Sequence, residues 1–204
     1  MAGHMGLEFK TSILYNYVMK ILAVADRPPS KSLYVLKEEH SIELFCFLGD
    51  LNSFYLQGVE NITDIPKIGV YGNHCSGLYF ESLGIKNLHL ETFEYKGLTF
   101  GGFEGSLRYK DSEYGKMYTQ EEANEKLKDF PPVDVMIAHS PPFGINDEPS
   151  SHSHEGFLAL RKYIEEKKPQ YFLHGHTYPT KENIVKKHLD TNIVYVYKDV
   201  VFDL

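Results

Sequence analysis

Asp26, Asp50, the pair Asn73-His74, His139 and the triplet His174-Gly175-His176 each fall where an apolar run gives way to a turn. Their types belong together chemically. Carboxylate oxygens, an amide oxygen and neutral imidazoles make a mixed oxygen and nitrogen shell, which suits borderline divalent ions such as Mn, Fe, Zn or Ni. A shared carboxylate can hold two such ions about 3.5–4 Å apart and present an activated water in line with a phosphorus atom. A further histidine, held off the ions, can contact the phosphate or protonate the leaving oxygen. Taken singly, each residue has an ordinary reading. Asp26 before Pro28-Pro29 and Asp50 after Gly49 are common turn residues, and a lone His139 is more often a hydrogen-bonded core residue than a ligand. Recurrence at equivalent ends of successive strands is what argues for a common site.

The elements that must position these residues read as strand, loop, helix, strand, repeated, the pattern of an α/β layered domain. Residues 19–25 form an apolar strand ending at Asp26, followed by a Pro-Pro turn and a helix near 32–39. A second buried strand over 44–48 closes on Gly49-Asp50, and a third over 67–71 closes on Gly72-Asn73-His74. Residues 88–103 alternate short β-prone runs with glycines and predict antiparallel strands. Thr119 is the expected cap of a helix with Glu121 and Glu122 in its first turn. A buried strand over 133–138 ends at His139, and a second long helix is expected from 153–155 to about 168, where Pro169 stops it. Residues 171–173 run into His174, and the tail from 184 reads as strands with a tight hairpin turn at Lys198-Asp199. Polar residues at strand ends beside Gly or Pro turns are where open α/β sheets hold ligands.

The chain has 204 residues, with 42% hydrophobic and 24% charged, ordinary values for one globular domain. Residues 1–18 are read as a tag or non-native leader, because Met1-Ala2-Gly3-His4-Met5 resembles a cloning remnant; residues 19–204 then form a single domain. A net charge of −7 argues against a broad basic face for duplex nucleic acid and leaves a small phosphorylated substrate open. Two cysteines make no disulfide framework, and no apolar run approaches the roughly 18–20 residues that span a bilayer. A cytoplasmic location without membrane partners is the expectation. Oligomeric state is not legible.

In order, Asp26, Gly49-Asp50, Gly72-Asn73-His74, His139-Ser140-Pro141-Pro142 and Gly175-His176-Thr177 resemble the calcineurin-like metallophosphoesterase superfamily over residues 19–177. More narrowly, Ala25-Asp26-Arg27-Pro28, Gly101-Gly102 before Leu107-Arg108-Tyr109, and His154-Glu155-Gly156-Phe157 resemble a bacterial subgroup of small phosphoesterases. The resemblance implies an α/β fold, a four-layer αββα sandwich of two mixed β-sheets flanked by helices, with the metal site at the strand C-terminal ends. It also implies that Asp26 binds a first ion, that Asp50 bridges two, and that Asn73, His139 and His176 complete the site of the second ion. His74 would be the phosphate-contacting general acid.

The pattern is broken in one place. The family usually has Asp-x-His at the first strand and Gly-His-x-His at the last motif, and here Pro28 and Tyr178 stand at those two histidine positions. Both belong to the first ion. One or two divalent transition-metal ions are therefore expected, with His154 and His152 as substitute ligands or phosphate contacts. Arg27 and Arg108 are candidate phosphate contacts, against plain surface roles for each. His174 is read as a support behind the ligands and Tyr178 as a hydrogen-bond partner of a bound water or substrate. Cys75 is a soft-ligand option, and Tyr109, Tyr114, Tyr118 and Phe143 are a possible aromatic wall. The expected function is metal-dependent hydrolysis of a phosphate monoester or diester. The alternative is a degenerate metal- or nucleotide-binding module of the same fold; a single-strand nuclease fits the fold without support from the acidic composition.

Overall fold

The computed structural model describes residues 18–111 and 115–204. In chain order its strands are β1 (Lys20–Ala25), β2 (Leu44–Phe47), β3 (Lys67–Gly69), β4 (Lys86–Asn87), β5 (Thr92–Tyr95), β6 (Leu98–Phe103) and β7 (Ser106–Leu107). They continue as β8 (Met117–Tyr118), β9 (Val135–Ala138), β10 (Tyr171–His174), β11 (Lys187–His188), β12 (Thr191–Tyr195) and β13 (Lys198–Asp203). The α-helices are α1 (Leu33–His40), α2 (Gln120–Leu127) and α3 (Leu158–Lys167). One mixed sheet runs β13-β1-β2-β3-β4 and the other β11-β12-β10-β9-β6-β5, with β7 and β8 pairing separately.

The central strands are apolar at nearly every position because both faces of each sheet are covered. Ile21, Ala23 and Ala25 of β1 point into a core shared with Val135, Ile137 and Leu173 of the other sheet. Leu22 and Val24, on the opposite face, pack with Leu33 and Leu36 of α1. Likewise Met136, Ala138 and Phe172 meet Ala123, Leu160 and Ile164 of α2 and α3. The layers are thus helix, sheet, sheet, helix, the αββα sandwich that the resemblance implies.

What positions the site is strand direction. β1, β2 and β3 are parallel in one sheet, and β6, β9, β10 and β12 are parallel in the other. Asp26 directly follows β1, His139 directly follows β9, and Asp50, Asn73 and His176 lie a few residues past β2, β3 and β10.

Two expectations are corrected. The helix expected from 153–155 begins at Leu158. Residues before it form turns, and Gly156 packs so tightly on Pro142 and Phe143 backbone that a Cβ would lie 2.6 Å from their atoms. An isolated bridge between Pro142 and Phe157 then holds that stretch extended. Nor is Lys198-Asp199 a hairpin turn. Both residues are in β13, which pairs with β1 in the other sheet from β12, so the turn signal marks a crossing between sheets. Of the expected leader, all but Val18 lies outside the described residues, as does Tyr114. No described helix is long and apolar enough to cross a membrane.

Thr119 caps α2 through a reciprocal box in which its side chain accepts from Glu122 N at 3.1 Å and Glu122 accepts from Thr119 N at 2.8 Å. Thr119→Ala is expected to lower the unfolding free energy by about 1 kcal/mol, read as a shifted denaturant midpoint at unchanged slope.

Candidate metal centre

Three expected ligands converge where the two sheets meet. Asp50, His139 and His176 each offer one ligand atom within 4.8 Å of the others. Asn73 joins them, its Oδ1 lying 2.9 Å from His139 Nε2. Donors sharing an ion at about 2.1 Å sit roughly 3–4 Å from one another, as His139 Nε2 does from Asn73 Oδ1 at 2.9 Å and from Asp50 Oδ2 at 3.5 Å. Asp26 borders it, with Oδ2 accepting the His176 backbone N–H at 3.0 Å.

Backbone carbonyls orient both imidazoles. His139 Nδ1 donates to Leu48 O at 2.7 Å, leaving Nε2 facing Asn73 and Asp50 Oδ2, the latter at 3.5 Å. His176 Nε2 donates to Ser153 O at 2.8 Å, leaving Nδ1 as its ligand atom. A ring N–H fixed in this way sets the tautomer and raises the basicity of the other nitrogen.

The chain reaches this geometry through unfavourable backbone. Asp26, Asp50 and His176 have φ of 63°, 51° and 71°, each costing about 1–3 kcal/mol for a residue with a side chain. Asp26 and His176 are central residues of tight three-residue turns, closed by Arg27 N to Ala25 O at 2.7 Å and Thr177 N to Gly175 O at 2.9 Å. Glycines give the clearance: a Cβ on Gly72 would collide with Asp50 Oδ1, and one on Gly175 would lie 2.6 Å from Asp26 Oδ2.

The electrostatics are those of a site built for a cation. Burial pushes the Asp26 carboxyl up to about 6. Burial would also raise Asp50, but the charge and hydrogen bond of His139 hold it low, at about 2. His139 is fully enclosed, which alone would lower it; the Asp50 carboxylate outweighs this and holds it up at about 9. Burial, aided by that imidazolium, pushes His176 down. The proton on His139 thus offsets part of the charge of the neighbouring carboxylates.

The remaining expected residues fall into distinct places. His74 is exposed at a cleft of about 330 Å³ that Asp26, Asp50, Tyr55, Cys75 and Tyr79 also line, while its backbone N–H donates to Asp50 Oδ1 at 2.8 Å. Cys75 Sγ accepts from Gly72 N and Tyr79 OH. His154 lies beside the ligands, its ring centroid 5.4 Å from that of His176 and its Nδ1 3.1 Å from Glu148. Tyr178 is 49% exposed and packs edge to face on His154. Arg27 Nε donates to Tyr197 OH at 3.2 Å. His174 points away from the ligands and is fully buried, 3.0 Å from Asn146 Nδ2; burial pushes it down to about 4.

Three candidates are not brought to the centre. Arg108 is spent on Glu122 at 2.8 Å and on Met117 O, the surface role weighed for it against a phosphate contact. His152 is exposed beside Glu155. Of the aromatic wall, Tyr109 reaches the site through Asn73 Nδ2 at 3.4 Å, whereas Tyr118 stacks on His89. Sequence reading missed the carbonyls of Leu48 and Ser153, which carry no side-chain signal, and also Asn146, Glu148 and Tyr197. Asn146 had a faint one, an amide residue just past Gly144 between apolar Ile145 and acidic Asp147.

Because His139 holds its proton up to about pH 9 in the metal-free protein, ion uptake at pH 7 is expected to release about one proton per chain. Titration calorimetry in buffers of different ionisation enthalpy reads this directly, and binding without proton release would contradict it. A raised histidine stabilises the fold below its unfolded value near 6.5 and loses that contribution as pH climbs through the folded value. The metal-free protein should therefore lose stability between pH 6.5 and 9, followed by denaturant melts across that window.

Solved structures of low sequence identity share this architecture. One crystal structure superposes with a TM-score of 0.61 at 16% identity, covering 92% of this chain and 95% of the other. The crystal structure of TT1561 of Thermus thermophilus gives 0.58 at 14% identity, covering 88% and 89%. At these identities the likeness shows the fold alone. No curated protein is a significant match. The sequence profile described as calcineurin-like phosphoesterase matches residues 17–179, a span that holds all the converging ligands, and the chain belongs to that family.

Proposed function

We propose that this chain is a metal-dependent hydrolase of a small phosphorylated substrate, a phosphate monoester or diester. The observation that carries this reading is the convergence of Asp50, His139 and His176 on one point at the edge of an open cleft. A divalent ion bound there supplies Lewis-acid polarisation of the phosphoryl oxygens and activation of the attacking water. Asp50 would hold that ion through the carboxylate oxygen left open when Oδ1 accepts the His74 N–H. Asn73 offers its amide oxygen, its Nδ2 being turned to Tyr109. The His74 side chain stands at the cleft, free to hold a phosphoryl oxygen and to pass a proton to the departing one.

Mixed oxygen and nitrogen donors make Mn the first ion to try, with Fe, Zn and Ni as comparisons. The shell around Asp50, Asn73, His139 and His176 is complete enough to hold one ion. Asp26 keeps one oxygen on the His176 N–H, and Pro28 and Tyr178 are at the surface, so support for a second ion is weaker. Buried free thiols at Cys46 and Cys75 are in keeping with a reducing cytoplasm, which localisation of a tagged copy would check. The second reading, a binding module without hydrolysis, is favoured by those same substitutions at Pro28 and Tyr178.

After reconstitution with Mn, His176→Ala is expected to lose the bound ion by elemental analysis. His74→Asn should keep the ion and lose about 10²–10⁴-fold in kcat on p-nitrophenyl esters. Full activity in His74→Asn would remove the proton-transfer role. A parent protein that binds ion and ester but turns over neither a monoester nor a diester with any of the four metals would favour the binding module.

A further inference from the structure

Beside the metal ligands, and outside the cleft that His74 lines, rings follow one another edge to face from the buried centre to the surface. His176 meets His154 at 5.4 Å and 85°, His154 meets Tyr178 at 5.8 Å and 80°, and Tyr178 meets Tyr197 at 5.7 Å and 81°. Arg27 closes the series through its Nε bond to the Tyr197 hydroxyl. Arg27 directly follows Asp26, which borders the converging set, and Tyr178 and Asp26 both lie near enough to act on its charge. Among the described residues its two terminal nitrogens have no hydrogen-bond partner. A guanidinium anchored at Nε, with its outer edge open, is oriented to offer parallel N–H groups to two oxygens of a phosphate.

We propose that Arg27, Tyr197 and Tyr178 form an anion subsite for a phosphodiester monoanion carrying an aromatic substituent. Arg27 takes a non-bridging phosphate oxygen and the exposed ring of Tyr178 takes the aromatic group. This rests on the hydrolase reading of the neighbouring centre and names its substrate class. Shape favours a diester over a monoester. The reacting centre is bordered on one side by the 330 Å³ cleft and on another by the Arg27 and Tyr178 wall, so each of two ester substituents has a surface of its own. Aromatic faces suit planar groups, through offset or edge-to-face contact.

The test uses diphenyl phosphate and phenyl phosphate as calorimetric probes, on metal-free and Mn-loaded protein, beside turnover of the corresponding nitrophenyl esters. Parent protein is expected to bind the diester more tightly than the monoester. Arg27→Gln should weaken diphenyl phosphate by about 10- to 100-fold, the weight of a charge-assisted hydrogen bond, with partial recovery in Arg27→Lys. Tyr178→Ala should weaken it by about 2- to 12-fold. Arg108→Gln removes the same charge from a surface ion pair and should leave binding unchanged. If neither ester is hydrolysed but Arg27-dependent binding persists, the subsite stands and the hydrolase reading falls. If esters are hydrolysed while Arg27→Gln binds diphenyl phosphate as the parent does, or if the monoester binds more tightly, the subsite is overturned and the hydrolase reading stands.

Discussion

His139 and Asp50 face each other across the seam between two sheets, and neither could be where it is without the other's sheet. Asp50 follows β2 in one sheet and His139 follows β9 in the other, with 3.5 Å between Nε2 and Oδ2. The same imidazole donates to Leu48 O, and the main chain of His139 accepts Gly175 N–H from the loop after β10. One buried residue thereby ties together β2, β9 and β10. An ionised pair taken out of water is costly unless its remaining polar atoms are satisfied, and here each is: Leu48 O and Asn73 take the ring, and the His74 N–H takes the carboxylate. Polar contacts at this rim, with His176 N–H on Asp26 beside the His139–Asp50 pair, join two sheets whose interior faces pack through apolar side chains.

The order of the ligands was legible because strands buried on both faces leave unmistakable apolar runs, and whatever polar residue ends such a run is conspicuous. Asp26, Asp50, Asn73 and His139 were found in this way. What surrounds them was less legible, since it depends on contacts between distant loops. Nothing in the types of Leu48 or Ser153 announces that their carbonyls will orient a histidine. Arg108 has the composition of a phosphate ligand, yet α2 begins with an acidic turn that captures it. The helix expected from 153–155 starts only at Leu158, since Gly156 packs tightly on the backbone of Pro142 and Phe143, and His154 lies in the turns before it, beside His176. Lys198-Asp199 carries a turn signal that is real, with Lys198 at φ 65°, although the strand it begins belongs to the other sheet.

Positive φ at Asp26, Asp50 and His176 sets function against stability in the backbone itself. A sequence selected for stability alone would place Gly or Asn at such positions. Instead the chain keeps side chains there and provides clearance from neighbouring glycines, and the carboxyl of Asp26 is further disfavoured by burial. Strain of this kind persists when the surroundings over-determine it, and the densely packed double core supplies that determination.

The pairing of β1 with β13 joins Lys20 to Asp203, residues separated by 183 positions. During synthesis β1 therefore stands for most of the chain's emergence with one ladder of backbone groups unpaired, a template that other strands can occupy. The strand that ends in Asp26 can acquire its outer neighbour only after β13 has been made. Closing so long a loop is slow, so the edge of the sheet that carries Asp26 stays open longer than the strands that carry Asp50 and His139.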